Sequence, residues 1–336
     1  MLERSRTIVV GAGRGRAHLR SLLALPTLFE VVGLVDLDAD RLTPVLAANG
    51  LPAHLGFTSY DEALTRTNCD AVVIATWART HAGLVEQALR AGKHVMVEKP
   101  FVLNLEAGQH LLELAAAQDR KIAVTQQWRY MPGQRTVRRL MSAQTYGQPQ
   151  TGHLHTYKAR GGEYPDSEHA QLWQMTVHEV DSLIAMMNQP IVEVYGHSYR
   201  PPATTWKRES TATAELKFRN GCHMVLVSTS DSRVWATEFR VECEHAALVH
   251  RSKALSPPEE LYVGHDRELG LQPLPIDPGP EISLDQQVAA GFAAWRAGRS
   301  RTRNQRPQQP AGSGRPRRPH PLRRERSGGP RLPLGE

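Results

Sequence analysis

The sequence predicts a doubly wound parallel α/β sheet followed by an α+β domain built on a large, predominantly antiparallel sheet. Three observations carry this reading. Short apolar runs alternate with helical periodicity up to about residue 125, a glycine-rich turn opens the first helix, and beyond Gly147 the apolar period changes to two.

Residues 7–10 form a short β-branched strand, and GAGRGRAHLRSLL after it is a glycine-rich turn entering a helix. Glycine is needed there when a pyrophosphate must approach the backbone and sit on the amide donors of a helix amino terminus. That is the Rossmann arrangement, although Arg16 stands where Gly-x-Gly-x-x-Gly requires its last glycine and Gly15 comes one residue early. The second strand, 30–35, ends in Asp36, a carboxylate about 20 residues beyond the turn. There it accepts from a ribose diol and repels a 2′-phosphate, so NAD is expected in preference to NADP.

The stretch from Cys69 to Pro100 is the most informative in the chain. An uninterrupted apolar run over 71–75 reads as a parallel strand buried on both faces. A helix over 81–89 follows, with Leu84, Val85, Ala88 and Leu89 on one side; Ala91-Gly92 stops it, and His94–Val97 begins a strand ending in Glu98-Lys99-Pro100. Open sheets bind ligands outside the carboxyl ends of their strands, so Lys99 arrives where chemistry is expected. A helix over 105–118 and a strand over 122–125 complete a first domain spanning 1–125.

The second domain is expected over 126–298. A helix over 132–143 connects to it and a Gly147-Gln148-Pro149 turn closes that helix. Strands are predicted at 152–160, 191–198, 211–218, 223–230, 238–243 and 247–250, with Asn220-Gly221 between two of them as a hairpin signal. One helix falls around 178–187. A last helix, Leu284–Arg296, carries Leu284, Val288 and Phe292 on one stripe and is expected to return toward the first domain.

Composition narrows the function. The 336 residues suffice for two domains with sizeable cores, and three scattered cysteines make neither a disulfide framework nor a zinc cluster. His153 and His155 share a strand face at metal-compatible spacing, but nothing completes a ligand set, so no metal is expected. No apolar run reaches the roughly 18 residues of a membrane helix, and the segment after Arg4 and Arg6 is too short for a signal peptide. A cytoplasmic location is expected, with no membrane partner. The formal net charge is +7, yet residues 299–336 hold eleven Arg against two Glu, so residues 1–298 sum to −2. A body close to neutral gives no electrostatic reason to expect nucleic acid.

With these residues placed, the chain resembles the Gfo/Idh/MocA family, the glucose-fructose oxidoreductase and inositol dehydrogenase group. The resemblance rests on Gly15-Arg16-Ala17-His18, AGKHVMVEKP, Gln127-Trp128-Arg129-Tyr130 with Pro132, Val177-His178-Glu179-Val180-Asp181 and TAELKFRNG, all in the family's order over roughly residues 5–298. It implies an NAD(P)-dependent oxidoreductase acting on CH–OH groups of sugars, polyols or related compounds, and a homodimer or homotetramer formed through the second sheet. It further implies catalytic roles for Lys99 and His178 and substrate contacts from Gln174, Asp181 and Arg129. Cofactor contacts are implied for Gly11, Gly13, Arg14, Gly15, Asp36, Thr76, His81, Glu98, Lys99 and Gln127, and a cis bond at Pro100. Trp128 is expected either at the cleft or in a purely packing role, and His18 in a structural role. Gln174 stands where many relatives carry Asp, and an amide is no base at ordinary pH, so the acid–base burden shifts to His178 and Lys99.

Residues 299–336 depart from the family. Proline recurs through them and apolar residues are nearly absent, so they are expected to be disordered or the product of a frameshift. Codons for residues 303–311, shifted by one base, can spell Thr-Ser-Ala-His-Asn-Ser-Leu-Gln, the type of segment that relatives carry. The altered glycine turn, Gln174 and this tail keep open an alternative: a nucleotide-binding sensor or regulatory protein of the same fold, catalytically impaired.

Overall fold

A computed structural model of the chain describes residues 3–160, 169–253 and 256–298. The first sheet comprises β1 (Ser5–Val10), β2 (Phe29–Val35), β3 (Gly56–Phe57), β4 (Ala71–Ile74), β5 (His94–Val97) and β6 (Ile122–Val124). Their order is β3-β2-β1-β4-β5-β6, and every pairing is parallel. The chain winds outward from β1 to β3, crosses, and winds outward from β4 to β6. The connections therefore diverge between β1 and β4, which opens a crevice at the strands' carboxyl ends.

The helices between these strands are α1 (Gly15–Leu23), α2 (Ala39–Ala48), α3 (Tyr60–Arg66), α4 (Ala78–Arg90) and α5 (Leu105–Ala117). They cover both faces, as uninterrupted apolar strands require. Ile8, Val72, Ile74, Val95 and Val97 are wholly buried, and α4 lays Val85, Ala88 and Leu89 on the same cluster. Each such side chain stabilises the sheet by roughly 1.5–3 kcal/mol relative to exposure.

A short 3₁₀ turn, Gln127–Tyr130, and α6 (Pro132–Ser142) lead into the second sheet. Its strands are β7 (Pro149–Ala159), β8 (Ile191–Tyr199), β9 (Thr211–Phe218), β10 (His223–Thr229), β11 (Asp231–Cys243), β12 (Ala247–Lys253), β13 (Ser256–Gly264) and β14 (Gln272–Pro273). The order is β14-β13-β12-β11-β7-β10-β9-β8, with β7–β10 parallel and the other pairs antiparallel. The Asn220-Gly221 hairpin joins β9 to β10, with Gly221 at φ +90°. A π-helical turn, Gln171–Thr176, runs into α7 (Val177–Met187). Val137 and Leu140 of α6 and Leu183 and Met186 of α7 pack on Leu154, Phe218 and Phe239 of the sheet.

The final helix, α8 (Leu284–Arg296), begins at a Ser283–Gln286 capping box. As the sequence predicts, it returns to the first domain: Val288, Ala289 and Phe292 share a core with Val9, Leu19 and Leu34. Elements the sequence reading lacked are β3, α2, α3, β13 and β14, and β11 starts at Asp231, seven residues before the predicted 238. Residues 299–336, with the tail expected there, lie outside the described residues. Among the described residues no helix is long and apolar enough to cross a membrane.

Candidate active site

The glycine turn after β1 has the geometry of a phosphate cradle. Gly11 sits at φ +98°, and a Cβ there would come within 2.5 Å of the Ala75 carbonyl oxygen. A Cβ on Gly13 would meet nothing within 4 Å, so the space above the turn is open, whereas Gly15 packs tightly on Val9. Helix α1 starts with no acidic residue in its first turn and no side-chain cap, which leaves its amino terminus suited to an anion. At the end of β2, Asp36 accepts from the Ala12 N–H (2.7 Å) and the Asp38 N–H (3.0 Å), so its carboxylate is fixed beside the turn. These residues fit a dinucleotide despite the misplaced third glycine.

Beyond β4, Thr76 and Thr80 share a hydroxyl–hydroxyl bond of 2.7 Å and Trp77 is 72% exposed. His81 is buried; its Nδ1 lies 2.7 Å from the Pro100 carbonyl and its Nε2 3.3 Å from the Thr76 carbonyl. It thus ties together the segments that leave β4 and β5, and its ring has no nitrogen left for a ligand. The Lys99–Pro100 bond is cis.

Glu98, at the end of β5, joins the glycine turn to the lysine that follows it. Its Oε1 accepts from Arg14 Nε and His18 Nε2, each at 2.8 Å, and its Oε2 from the Lys99 N–H at 3.1 Å. Arg14 also reaches Asp285 of α8 at 2.9 Å. Burial alone would raise the Glu98 carboxyl, but His18 and Arg14 outweigh it and bring the pKa down to about 2. A depressed carboxylate contributes stability that is present above its ordinary 4.5 and lost as pH falls toward 2. The shift corresponds to about 3 kcal/mol. Glu98→Gln should therefore be less stable than the wild type at pH 7 and lose less between pH 7 and pH 2.5. Urea unfolding at the two pH values measures this; an equal loss in both proteins would contradict the assignment.

Lys99 and His178, from separate parts of the chain, come together. Lys99 Nζ donates to the Gln174 carbonyl in the π-helical turn at 2.8 Å. Its pKa lies below 10.5: burial lowers it, Glu98 opposes, and Arg160 and Lys158 lower it further. His178 is buried at the start of α7, stacked on Trp128 with ring centroids 4.4 Å apart. Its Nδ1 donates to Gln126 Oε1 at 2.8 Å, which leaves Nε2 as the acceptor of a neutral ring. Burial first, then the cations Lys99 and Lys158, push its pKa well below 6.5.

The remaining predicted residues take different positions. Arg129 and Asp181 form a bidentate ion pair, and the structure shows Gln174 contributing a backbone carbonyl. Gln127 keeps a buried side-chain oxygen without a partner among the described residues. His153 pairs with Glu238 at 3.1 Å and stacks on His155. Among the described residues no group of three His, Cys, Asp or Glu is arranged to hold a metal. Sequence reasoning missed the ion pair of Lys158 and Glu179, both wholly buried beside this site. The available signal was the alternation of β7, which puts Lys158 on the same face as Leu154 and Thr156.

Comparison with known proteins places the chain in an oxidoreductase class. Residues 5–126 match the profile described as "Oxidoreductase family, NAD-binding Rossmann fold", and residues 134–249 match the "GFO/IDH/MocA C-terminal domain". The chain belongs to the Gfo/Idh/MocA family of NAD(P)-dependent oxidoreductases. It is 31% identical over 247 residues to inositol 2-dehydrogenase 2 of Paenarthrobacter aurescens, covering 70% of this chain and 69% of that one. With inositol 2-dehydrogenase 3 of Saccharopolyspora erythraea it shares 29% identity over 242 residues, 70% of this chain and 67% of the relative. The y4oX protein of Sinorhizobium fredii is 30% identical over 235 residues, and the chain spans 65% of its length. The fold is that of UDP-N-acetylglucosamine 3-dehydrogenase from Acidithiobacillus ferrooxidans, with TM-score 0.72, 22% identity, and coverage of 89% of this chain and 90% of that one.

Proposed function

We propose that the protein is an NAD-dependent dehydrogenase or reductase that moves hydride between nicotinamide and a CH–OH carbon of a sugar, polyol or related hydroxy or keto compound. The observation that supports this reading is that Lys99, at the carboxyl end of β5, bonds the Gln174 carbonyl, one helical turn before His178. Gly11, Gly13, Gly15 and the amino terminus of α1 would hold the diphosphate, and Asp36 the adenosine ribose. Bound there, nicotinamide supplies a hydride acceptor or donor. In the direction of alcohol oxidation, His178 Nε2 takes the hydroxyl proton while Lys99 Nζ donates to the same oxygen and stabilises its developing negative charge. The carbon gives up hydride and becomes a carbonyl. The Gln174 amide orients a substrate hydroxyl, and the Arg129–Asp181 pair borders the substrate's side of the site.

Reduction of NAD across a panel of polyols and sugars, followed by absorbance, tests the reading. Turnover of at least one such substrate is expected. NADH binding without turnover of any of them would favour the regulatory alternative. Asp36→Ala is expected to shift the kcat/KM ratio of NADP to NAD upward by about tenfold or more, since it removes a like charge facing a 2′-phosphate. An unchanged ratio would remove Asp36 from the ribose site.

The second sheet supports an assembly proposal, a homodimer or homotetramer through its open face. On that face Tyr195 of β8 is 72% and Val225 of β10 47% exposed in the single chain, in one row across the sheet with Glu215 of β9 between them. Sedimentation velocity should give a dimer or larger species, and a monomer at micromolar concentration would contradict the proposal.

A further inference from the structure

The mechanism above makes no use of Lys158 and Glu179. Both side chains are wholly buried and in direct contact, and among the described residues neither has another hydrogen-bond partner. Burying two charges costs several kcal/mol per ion, and a well-packed apolar pair at such a site often stabilises as much or more. Stability is thus a weak reason for the pair, while its position suggests a stronger one. Lys158 Nζ lies 5.6 Å from the centroid of the Trp128 ring, the ring on which His178 stacks. Glu179 follows His178 in α7, so its contact with β7 fixes how that helix turns its first residues toward the sheet.

Resting on the assignment of His178 as the acid–base group, we propose that the buried Lys158–Glu179 pair is a positioning device for His178: it holds the ring through Trp128 and α7 and opposes a second positive charge on it. The groups facing His178 are Lys99 and Glu98 from the end of β5, Lys158 and Arg160 from β7 and its end, and Glu179 from its own helix. Lys99, Lys158 and Arg160 disfavour the imidazolium and Glu98 favours it. Burial lowers the Lys158 pKa and its contact with Glu179 opposes that loss, which favours a cation in the apolar interior beside the ring. His178 then remains an acceptor at Nε2 over the neutral range, as hydroxyl oxidation requires.

The test reads His178 itself. In histidine-ring-labelled protein without cofactor or substrate, the His178 resonance is identified by its loss in His178→Gln, and its titration midpoint is followed by NMR. Single changes at the pair would leave a buried unpaired charge, so the variant is the double change Lys158→Met with Glu179→Gln. The wild-type midpoint is expected below 6.5, and the double variant's about one unit higher, a tenfold easier protonation. If that variant fails to fold, Lys158→Gln with Glu179→Gln carries the same measurement. A folded double variant that titrates like the wild type, or a wild-type midpoint at or above 6.5, overturns the proposal. No turnover is measured, so failure of the dehydrogenase assignment would appear only in the substrate panel.

Discussion

Lys99→Ala should retain NADH affinity and lose about 10²–10³-fold in kcat, the usual consequence of removing a donor to a developing oxyanion. The affinity is expected to survive because the cradle of Gly11, Gly13, Gly15 and Asp36 belongs to β1, β2 and α1, and none of these contacts involves the Lys99 side chain. The ammonium is well placed for its task. Half-buried at the end of β5, with its pKa lowered by burial, it loses less to water than a surface lysine would and can also relay a proton. Among the described residues its ammonium donates one hydrogen bond, to the Gln174 carbonyl, and a lysine carries two further N–H groups for a substrate. Fluorescence titration with NADH and steady-state kinetics separate the two effects. Unchanged kcat would mean that the lysine is misassigned, and loss of NADH binding would mean that it serves the cofactor.

His178→Gln should cost about 10²–10⁴-fold in kcat for alcohol oxidation, the range for removing a positioned general base. The pH profile carries a second signature. Burial pushes the His178 pKa well below 6.5, and the proposed mechanism makes its neutral form the active one in oxidation. Wild-type rates should therefore fall only at acid pH, as the ring protonates, and stay level through neutrality. In His178→Gln that acid limb should vanish. The same shift bears on stability: the unfolded ring binds its proton near 6.5 and the folded ring only at lower pH, so the native state loses stability as pH drops through that window. A variant that keeps both the rate and the acid limb would place the base elsewhere.

Most of the architecture could be read from residues because both sheets obey strong periodicities. The predicted 94–97, 211–218 and 284–296 coincide with β5, β9 and α8. What escaped has particular causes. Strand β3 is two residues long, too short for any period, and α2 contains Pro44, which argues against a helix until Asp38 is seen capping it. For α3 the capping pattern from Ser59 to Glu62 was available and unused. Strand β13 carries prolines at 257 and 258 followed by Glu259 and Glu260, and only pairing with β12 and β14 makes it a strand.

At the site, Lys99 and His178 could be singled out from local motifs, but their electrostatic coupling is tertiary. The same holds for Glu98, whose local context gave no hint that Arg14 and His18 would both bond one of its oxygens. Lys158 and Glu179 are the sharpest case. Singly, each reads as a solvent-facing charge, and only the meeting of β7 with α7 buries them as a pair.

A crystal structure of the protein with NAD tests the central claim most directly. The diphosphate should lie over Gly13 against the amino terminus of α1, with the ribose diol on Asp36. The nicotinamide should then leave a substrate-sized space whose reacting oxygen can lie about 3 Å from both Lys99 Nζ and His178 Nε2. A nicotinamide ring bound away from those two side chains, or a crevice that stays closed to the diphosphate at saturating NAD, would contradict it.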